Sequence, residues 1–283
     1  MTAKTKNNSL TSGPIGVFDS GVGGLTILKE IRKTLPEYDY IYLGDNARAP
    51  YGTRSFETVY EYNLEAVKKL FSLGCPLVII ACNTASAKAL RSIQQNDLPS
   101  IAPDKRVLGV IRPTTEDAGN YTQTKHLGIL ATPGTVKSES YQIEIQKFFP
   151  DLMVHQEACP MWVPLIENNE HLSPGGEYFI QKNLNNLLQK DHRIDTLILG
   201  CTHYPLLLPV LKKLIPPSIR IVSQGPIVAE KLKIYLARHT EIASLCTTGR
   251  TVTYLTTESP SAFEEKAFLF LDETVQAKHI ELE

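Results

Sequence analysis

The feature that most constrains the fold is a regular alternation of short apolar runs with segments of helical periodicity, from residue 15 to about residue 240. Runs such as IGVFD (15–19) and TLILG (196–200) are typical of buried strands, whereas LTILKEIRKTL (25–35) carries its apolar residues on one helical face. Alternation of this kind predicts parallel sheets covered by helices, with ligands at the carboxyl ends of the strands. We therefore predict an α/β protein.

Two pairs of motifs repeat in the same order along the chain. IGVFDSGVGGL in the first half resembles LGILATPGTV in the second, and LVIIACNTAS resembles TLILGCTHYP. The first pair is separated by 112 residues, from Gly16 to Gly128, and the second by 119 residues, from Cys82 to Cys201. These similar separations predict two pseudo-symmetric, doubly wound domains with mostly parallel sheets and the active site between them.

Local signals predict where several helices begin and end. Ser55 can cap a helix that Gly74 ends. Periodicity predicts helices over residues 85–95 and 136–149, and a loop is expected around Cys159, Pro160 and Trp162.

Composition excludes several classes of protein. The chain has 283 residues, of which 42% are hydrophobic and 21% charged, as in a globular protein of one large or two ordinary domains. A net charge of -1 gives no overall attraction to nucleic acid or to an anionic membrane. Residues 1–13 are polar and are interpreted as a flexible tail, and no apolar run approaches the roughly 18 residues that span a bilayer. We predict a cytoplasmic protein with neither nucleic-acid nor membrane partners.

The cysteines are unlike those of a secreted disulfide scaffold. There are five, an odd number, they are widely spaced, and no CxxC pair occurs. Most are therefore predicted to be reduced thiols. Cys75 and Cys246 are best explained as small hydrophobic residues of the core.

Cys82 and Cys201 differ from the other cysteines in their settings. Cys82 lies in ACNTAS and Cys201 in GCTHYP, and each follows a predicted strand and precedes a predicted helix. Because a helix start favours the thiolate, either cysteine could act as a base or a nucleophile. His203 would on its own be interpreted as a structural histidine, but beside Cys201 it could donate or relay a proton.

Several chemistries are compatible with one of these cysteines, and one chemistry uses both. A Cys-His nucleophile for acyl transfer would leave the second cysteine without a role. A metal site on Cys201 and His203 lacks further ligands at the usual spacings, and a pyridoxal enzyme would need a lysine at a strand end. Removal and return of a proton at one carbon employs both thiols, so we predict no metal and no cofactor for the reaction.

The glycine-rich segment DSGVGG (19–24) follows the first predicted strand. It fails the dinucleotide pattern GxGxxG because the third glycine position is Thr26, and no GK[ST] follows. What it predicts is a tight turn whose amides can approach an anionic group, a carboxylate as well as a phosphate. The alternative is a glycine turn in which Asp19 only caps a helix.

Six segments between about residue 14 and residue 270 together resemble one family. They are GVFDSGVGGLT, LGDNARAPYGTRS, ACNTASA, LATPGTV, CPMWVPLIE and GCTHYPLL. The chain resembles the glutamate racemases of the aspartate/glutamate racemase superfamily, which are cofactor-independent enzymes of bacterial peptidoglycan synthesis. The resemblance implies interconversion of L- and D-glutamate.

The resemblance also implies roles for individual residues. Cys82 would act on the D-glutamate face and Cys201 on the L-glutamate face, with Asp19 beside the first thiol and Glu167 and His203 near the second. The implied substrate contacts are Asp19, Ser20, Tyr51, Gly52, Asn83, Thr84, Thr202 and His203.

The resemblance further implies a discontinuous first domain, of residues 14–110 and 224–283, around a second domain of residues 111–223. Members of the family are often homodimers. The alternatives that stay open are a racemase of aspartate or another acidic amino acid, and a binding module that keeps the fold without activity. Two segments depart from the family pattern, namely IRPTTEDAG (111–119) and the pair Ser223 and Gln224.

Overall fold

The computed structural model describes residues 12–282, and within them every strand pair is parallel. The α/β prediction with mostly parallel sheets is confirmed. Most of the predicted tail lies outside the described residues; of its last two residues, Gly13 forms a parallel bridge with Cys246.

Between residues 12 and 282, ten strands form two sheets with related topologies. The strands are β1 (Ile15–Asp19), β2 (Tyr40–Gly44), β3 (Leu77–Ile80), β4 (Arg106–Gly109), β5 (His126–Ala131), β6 (Met153–Ala158), β7 (Thr196–Gly200), β8 (Arg220–Val222), β9 (Val252–Thr256) and β10 (Ala277–His279). The first sheet has the order β10-β9-β2-β1-β3-β4 and the second β6-β5-β7-β8. Because β2-β1-β3-β4 and β6-β5-β7-β8 follow one pattern, the two halves are pseudo-symmetric, and β3 corresponds to β7.

Helices cover both sheets. They are α1 (Leu25–Thr34), α2 (Phe56–Ser72), α3 (Asn83–Lys88), α4 (Leu90–Ser92), α5 (Leu98–Ile101), α6 (Ile111–Thr115), α7 (Pro133–Lys137), α8 (Ser140–Phe148), α9 (Trp162–Glu167), α10 (Pro174–Leu188), α11 (Leu208–Leu214), α12 (Gln224–Arg238), α13 (Thr240–Ala243) and α14 (Pro260–Leu271). None of these described helices combines the length and the apolar character needed to cross a bilayer.

The central strands are buried along their whole length, which explains their continuous apolar sequences. Every residue of β1, β3, β5 and β7 is buried. A strand of a parallel sheet has helices on both faces, so both sets of its side chains are removed from water. Each strand that carries a candidate cysteine just beyond its end is therefore held in a rigid core.

The predicted cap and stop of α2 are both present. The Ser55 hydroxyl accepts a hydrogen bond from the Thr58 N–H at 3.1 Å, which satisfies one of the free amides of the first turn. Gly74 ends the helix with φ +95°, a conformation that is strained for a residue with a side chain.

Other boundaries differ from prediction. The helix expected over 85–95 is divided into α3, α4 and a π-helical turn at Ile93–Asp97. The helix expected over 136–149 starts earlier, where Thr132 caps α7, and is broken at Glu139, whose φ is 55°. The loop expected around Cys159, Pro160 and Trp162 is present at Cys159 and Pro160, but helix α9 already begins at Trp162. Apolar periodicity continued across these breaks, so it did not indicate where the backbone changes direction.

The end of the chain returns to the first sheet. Strand β9 pairs with β2, and β10 pairs with β9. Helix α12 packs closely on α1, where a Cβ added at Gly225 would lie 2.9 Å from the Glu30 Cγ atom. The discontinuous first domain and its limits at residues 110 and 223 stay a prediction.

Candidate active site

One cavity of about 390 Å³ lies where the carboxyl ends of β1, β3, β5 and β7 converge. Its volume is in the range of sites for small molecules. Ten of the eleven residues that the sequence predicts for the site line it: Ser20, Tyr51, Gly52, Cys82, Asn83, Thr84, Glu167, Cys201, Thr202 and His203. Both thiols thus open into the same space, one from each half of the chain.

Asp19 lies behind the cavity wall and is fully buried. Its Oδ1 atom accepts a hydrogen bond from the Gly21 N–H at 2.9 Å, and its Oδ2 atom accepts one from the Thr202 hydroxyl at 3.4 Å. Burial raises the pKa of Asp19, although the charge of His203 and the backbone hydrogen bonds act in the other direction. The raised pKa makes this carboxylate a stronger base than an exposed aspartate.

Cys82 is the N-cap residue of α3, directly beyond β3. Its sulfur accepts a hydrogen bond from the Ala85 N–H at 3.5 Å and lies 3.4 Å from the Ser20 hydroxyl oxygen. Burial, and after it the charge of Asp19, raise the pKa of Cys82, whereas the contacts with Ser20 and Ala85 lower it, and the net value is about 12. The helix start favours the thiolate as predicted, but burial outweighs it, so the ligand-free protein holds a thiol here.

Cys201 begins a chain of polar contacts that leads out of the cavity. Its sulfur is 3.9 Å from His203 Nδ1, and His203 Nε2 is 3.0 Å from Glu167 Oε1. The other oxygen of Glu167 accepts a hydrogen bond from Lys266 Nζ at 3.1 Å. These contacts place His203 beside the second thiol and Glu167 beside His203, which is the arrangement that the family resemblance implies.

The charges of His203 and Glu167 stabilise each other. Burial by itself lowers the pKa of His203, but the interactions with Cys201 and Glu167 outweigh it and raise the pKa to about 10. For Glu167, burial raises the pKa, and His203 and Lys266 together lower it to about 2. At neutral pH the pair is therefore an imidazolium and a carboxylate, which supplies a positive charge next to Cys201.

Hydrogen bonds join the two halves across the cavity floor. The hydroxyls of Thr84 and Thr132 are 2.9 Å apart, and the Tyr141 hydroxyl donates to Asn83 Oδ1 at 2.8 Å. Within residues 12–282, Asn83 Nδ2 is buried and has no hydrogen-bond partner. A buried donor without a partner costs free energy, so this atom is suited to a ligand oxygen.

Tyr51 and Gly52 form the wall contributed by the loop after β2. The Tyr51 hydroxyl donates to Asp45, which also accepts a hydrogen bond from Arg48 at 2.7 Å. The Gly52 carbonyl accepts from the Gly134 N–H at 2.8 Å. Since the Tyr51 hydroxyl is already bound to Asp45, this residue offers the cavity mainly its ring and backbone.

Thr132 and Lys266 are among the cavity residues that the sequence analysis did not predict. Thr132 lines the cavity from the second half and follows Ser20 by the same 112 residues that separate Gly16 and Gly128, so the internal repeat could have identified it. Lys266 reaches the cavity from α14, far from the recognised motifs, and only the return of the chain to the first sheet brings it there.

A model of the Asp/Glu/hydantoin racemase family matches residues 16–232, from β1 into α12. This match covers more than half of the chain. The chain belongs to this racemase family. The family resemblance predicted from the six segments is confirmed.

Similar members of the family are named glutamate racemase. One from Persephonella marina is 40% identical over 269 residues, which are 95% of this chain and 97% of that protein. The crystal structure of a glutamate racemase isoform from Bacillus anthracis has a TM-score of 0.86 at 34% identity, covering 95% of this chain and 98% of that one. The glutamate racemase from Francisella tularensis, solved in complex with D-glutamate, has a TM-score of 0.84 at 31% identity, with the same coverage.

Proposed function

We propose that this racemase-family protein interconverts L-glutamate and D-glutamate by a two-thiol mechanism that needs neither a metal nor a cofactor. The observation that carries the proposal is the placement of Cys82 and Cys201 at corresponding strand ends, β3 and β7, on one cavity. Two pseudo-symmetric groups on one small cavity can act on opposite faces of a single bound carbon. Acyl transfer would leave one of them unused.

The reaction consists of two proton transfers. In the D-to-L direction the Cys82 thiolate removes the α-proton, and the electron pair of the C–H bond stays on the substrate, delocalised into the α-carboxylate. The Cys201 thiol then gives its proton to the opposite face, so the centre is inverted and Cys201 becomes the thiolate. The L-to-D direction exchanges these roles.

Neighbouring groups assist each thiol. The pKa of Cys82 is about 12 without a ligand, so its proton must leave as substrate binds. The substrate ammonium group would stabilise the thiolate, and the buried carboxylate of Asp19 can take up a proton. On the other side, the His203 imidazolium stabilises the Cys201 thiolate. Glu167 positions the imidazole and stabilises its protonated form.

Substrate binding is assigned to the polar groups of the cavity. Asn83 Nδ2 and the hydroxyls of Thr84, Thr202 and Ser20 are donors suited to carboxylate oxygens, and Asp19 and Glu167 can attract an ammonium group. Tyr51 and Gly52 would bound the pocket on the side of β2. Because pocket length decides between glutamate and aspartate, a racemase of aspartate or another acidic amino acid is the alternative.

The proposed physiological role is the supply of D-glutamate for peptidoglycan synthesis. It is supported by the bacterial relatives named glutamate racemase. In this role the protein would act in the cytoplasm, as a monomer or a homodimer.

The direct test is turnover of the EDTA-treated protein with each enantiomer of glutamate and of aspartate, followed by chiral chromatography. We expect both enantiomers of glutamate to approach an equal mixture, and aspartate to react much more slowly. Turnover of aspartate alone would show that aspartate, and not glutamate, is the substrate. No turnover of any acidic amino acid would refute the racemase function.

A further inference from the structure

Two histidines and an aspartate meet at the amino ends of the second sheet, away from the cavity. His126 is the first residue of β5, His155 lies in β6, and Asp191 lies in the loop between α10 and β7. Since Gly128 of β5 pairs with His155, the side chains of His126 and His155 are on the same face of the sheet. Their rings stack with centroids 5.9 Å apart and 17° between their planes.

The three groups are spaced as the ligands of one metal ion. His126 Nδ1 lies 3.1 Å and His155 Nε2 lies 3.5 Å from the same oxygen of Asp191, Oδ2. All three atoms are within 4.8 Å of one another. Ligands at about 2.05 Å from a tetrahedral Zn²⁺ ion are about 3.4 Å apart, so the observed spacing suits zinc with little rearrangement.

One nitrogen of each imidazole is available as a metal ligand. In the described part of the chain, His126 Nδ1 and His155 Nε2 are buried and have no hydrogen-bond partner, since neither contact with Asp191 has hydrogen-bond geometry. His126 is only 6% exposed. A buried ring nitrogen without a partner is unfavourable, and coordination to a metal would satisfy its lone pair.

Two positively charged side chains lie near the two histidines and the aspartate. Arg193 donates to Asp191 from Nε at 3.0 Å and from Nη2 at 2.8 Å, and Lys190 lies in the same loop, where it pairs with Glu157. A carboxylate has about four lone-pair sites, so Asp191 can accept from Arg193 and still present one to the histidines. Outer hydrogen bonds of this kind commonly orient a metal-binding carboxylate.

We propose that His126, His155 and Asp191 form a zinc-binding site that stabilises the second half of the fold. Two imidazoles and one carboxylate favour zinc over magnesium or calcium, which prefer oxygen ligands. Water would occupy the fourth position. The ion would join β5, β6 and the loop before β7, the strand whose other end carries Cys201. The site is separate from the proposed racemase reaction and does not depend on it.

The test is calorimetric titration of the full chain with ZnCl₂ after EDTA treatment, together with thermal unfolding. We expect one zinc ion to bind per protein chain at this site, and the Tm to rise by about 5 °C at saturating zinc. His155→Gln and Asp191→Asn should each weaken zinc binding about a hundredfold or more. His192→Gln, next to Asp191 but exposed, should bind zinc as the unaltered protein does.

The titration also distinguishes this site from the thiols of the cavity, which can bind zinc themselves. Binding that survives His155→Gln and Asp191→Asn but is lost in a Cys82→Ser, Cys201→Ser protein would overturn the proposal, as would no binding at all. Asp191 is near the surface, so Asp191→Asn decides the question even if a histidine variant fails to fold. Circular dichroism of each metal-free variant verifies folding.

Discussion

Gly23 packs directly against His203: a Cβ atom added to Gly23 would lie 2.3 Å from His203 Nδ1 and 2.4 Å from the Thr202 hydroxyl oxygen. Gly23 belongs to the loop after β1, whereas His203 follows β7, so this contact joins the two halves beside Cys201. The glycine-rich segment DSGVGG thus allows one half of the chain to approach the other. This role is additional to the anion-approaching turn that the sequence predicts, which stays a prediction.

Gly23→Ala should therefore displace His203 and reduce the proposed activity. No side chain can occupy the position without moving the imidazole, because real Cβ contacts at this distance do not occur. We expect kcat to fall about a hundredfold, the size of one misplaced acid-base group. Gly21→Ala is the comparison, since its Cβ would have its nearest contact at 3.7 Å, and it should lose far less activity. Equal effects of the two variants would contradict the assigned role of the contact.

Much of this architecture could be predicted from the sequence because the central strands are continuous apolar runs. The internal repeat also predicted the correspondence of Cys82 and Cys201, which the common strand order explains. Contacts between residues distant in sequence could not be predicted, and Lys266 and Gly23 are examples. The protonation of Cys82 could not be predicted from the sequence either, because it depends on burial and on the charge of Asp19 rather than on the local helix start.

Removal of either thiol should suppress racemisation in both directions. In Cys82→Ser or Cys201→Ser one face of the α-carbon loses its acid-base group, and we expect kcat to fall by about 100- to 10,000-fold. Cys246→Ser is the matched control, because the Cys246 thiol lies outside the cavity and donates to the Ile242 carbonyl, which serine can also do. If either active-site variant kept near-normal turnover, the two-thiol mechanism would be wrong.

The ion pair between His203 and Glu167 should stabilise the fold in a limited pH range. Glu167 has its pKa lowered from 4.5 to about 2, so its contribution is complete above pH 4.5 and is lost as the pH falls towards 2. Against the effect of burial, Cys201 and Glu167 together raise the pKa of His203 from 6.5 to about 10, so the contribution of the charged imidazole is complete below pH 6.5 and is lost as the pH rises towards 10.

Glu167→Gln should consequently reduce the free energy of unfolding most between these two ordinary values. We expect a loss of about 2 kcal/mol at pH 5.5, because the buried His203 imidazolium loses its carboxylate partner, and a smaller loss at pH 3 and pH 9. Urea denaturation of both proteins across this range measures the difference. A loss that is independent of pH would show that the two groups do not interact as charges.

The two segments that depart from the family pattern contact each other in the structure. Gln224 is buried, and its Nε2 atom donates to the Val110 carbonyl at 3.0 Å and to the Thr114 hydroxyl at 3.2 Å. Gln224→Glu should destabilise the protein by about 1–3 kcal/mol, because an ionised carboxylate cannot donate to the Val110 carbonyl.

Urea denaturation at pH 7 measures this effect, with Gln181→Glu on the exposed face of α10 as the control for the added charge. Gln181→Glu should change the free energy of unfolding by less than about 0.5 kcal/mol. Equal stability of the Gln224→Glu variant and the unaltered protein would mean that this contact contributes nothing.

The central claim, that two thiols act on opposite faces of one carbon, is tested most directly by racemisation of D-glutamate in deuterated water. Each thiol exchanges its proton with solvent, so Cys82 removes protium and Cys201 delivers deuterium. At early times the L-glutamate formed should carry deuterium at its α-carbon, while the remaining D-glutamate stays protiated. L-glutamate that retains the original protium, or deuterium appearing equally fast in the D-glutamate pool, would contradict the mechanism.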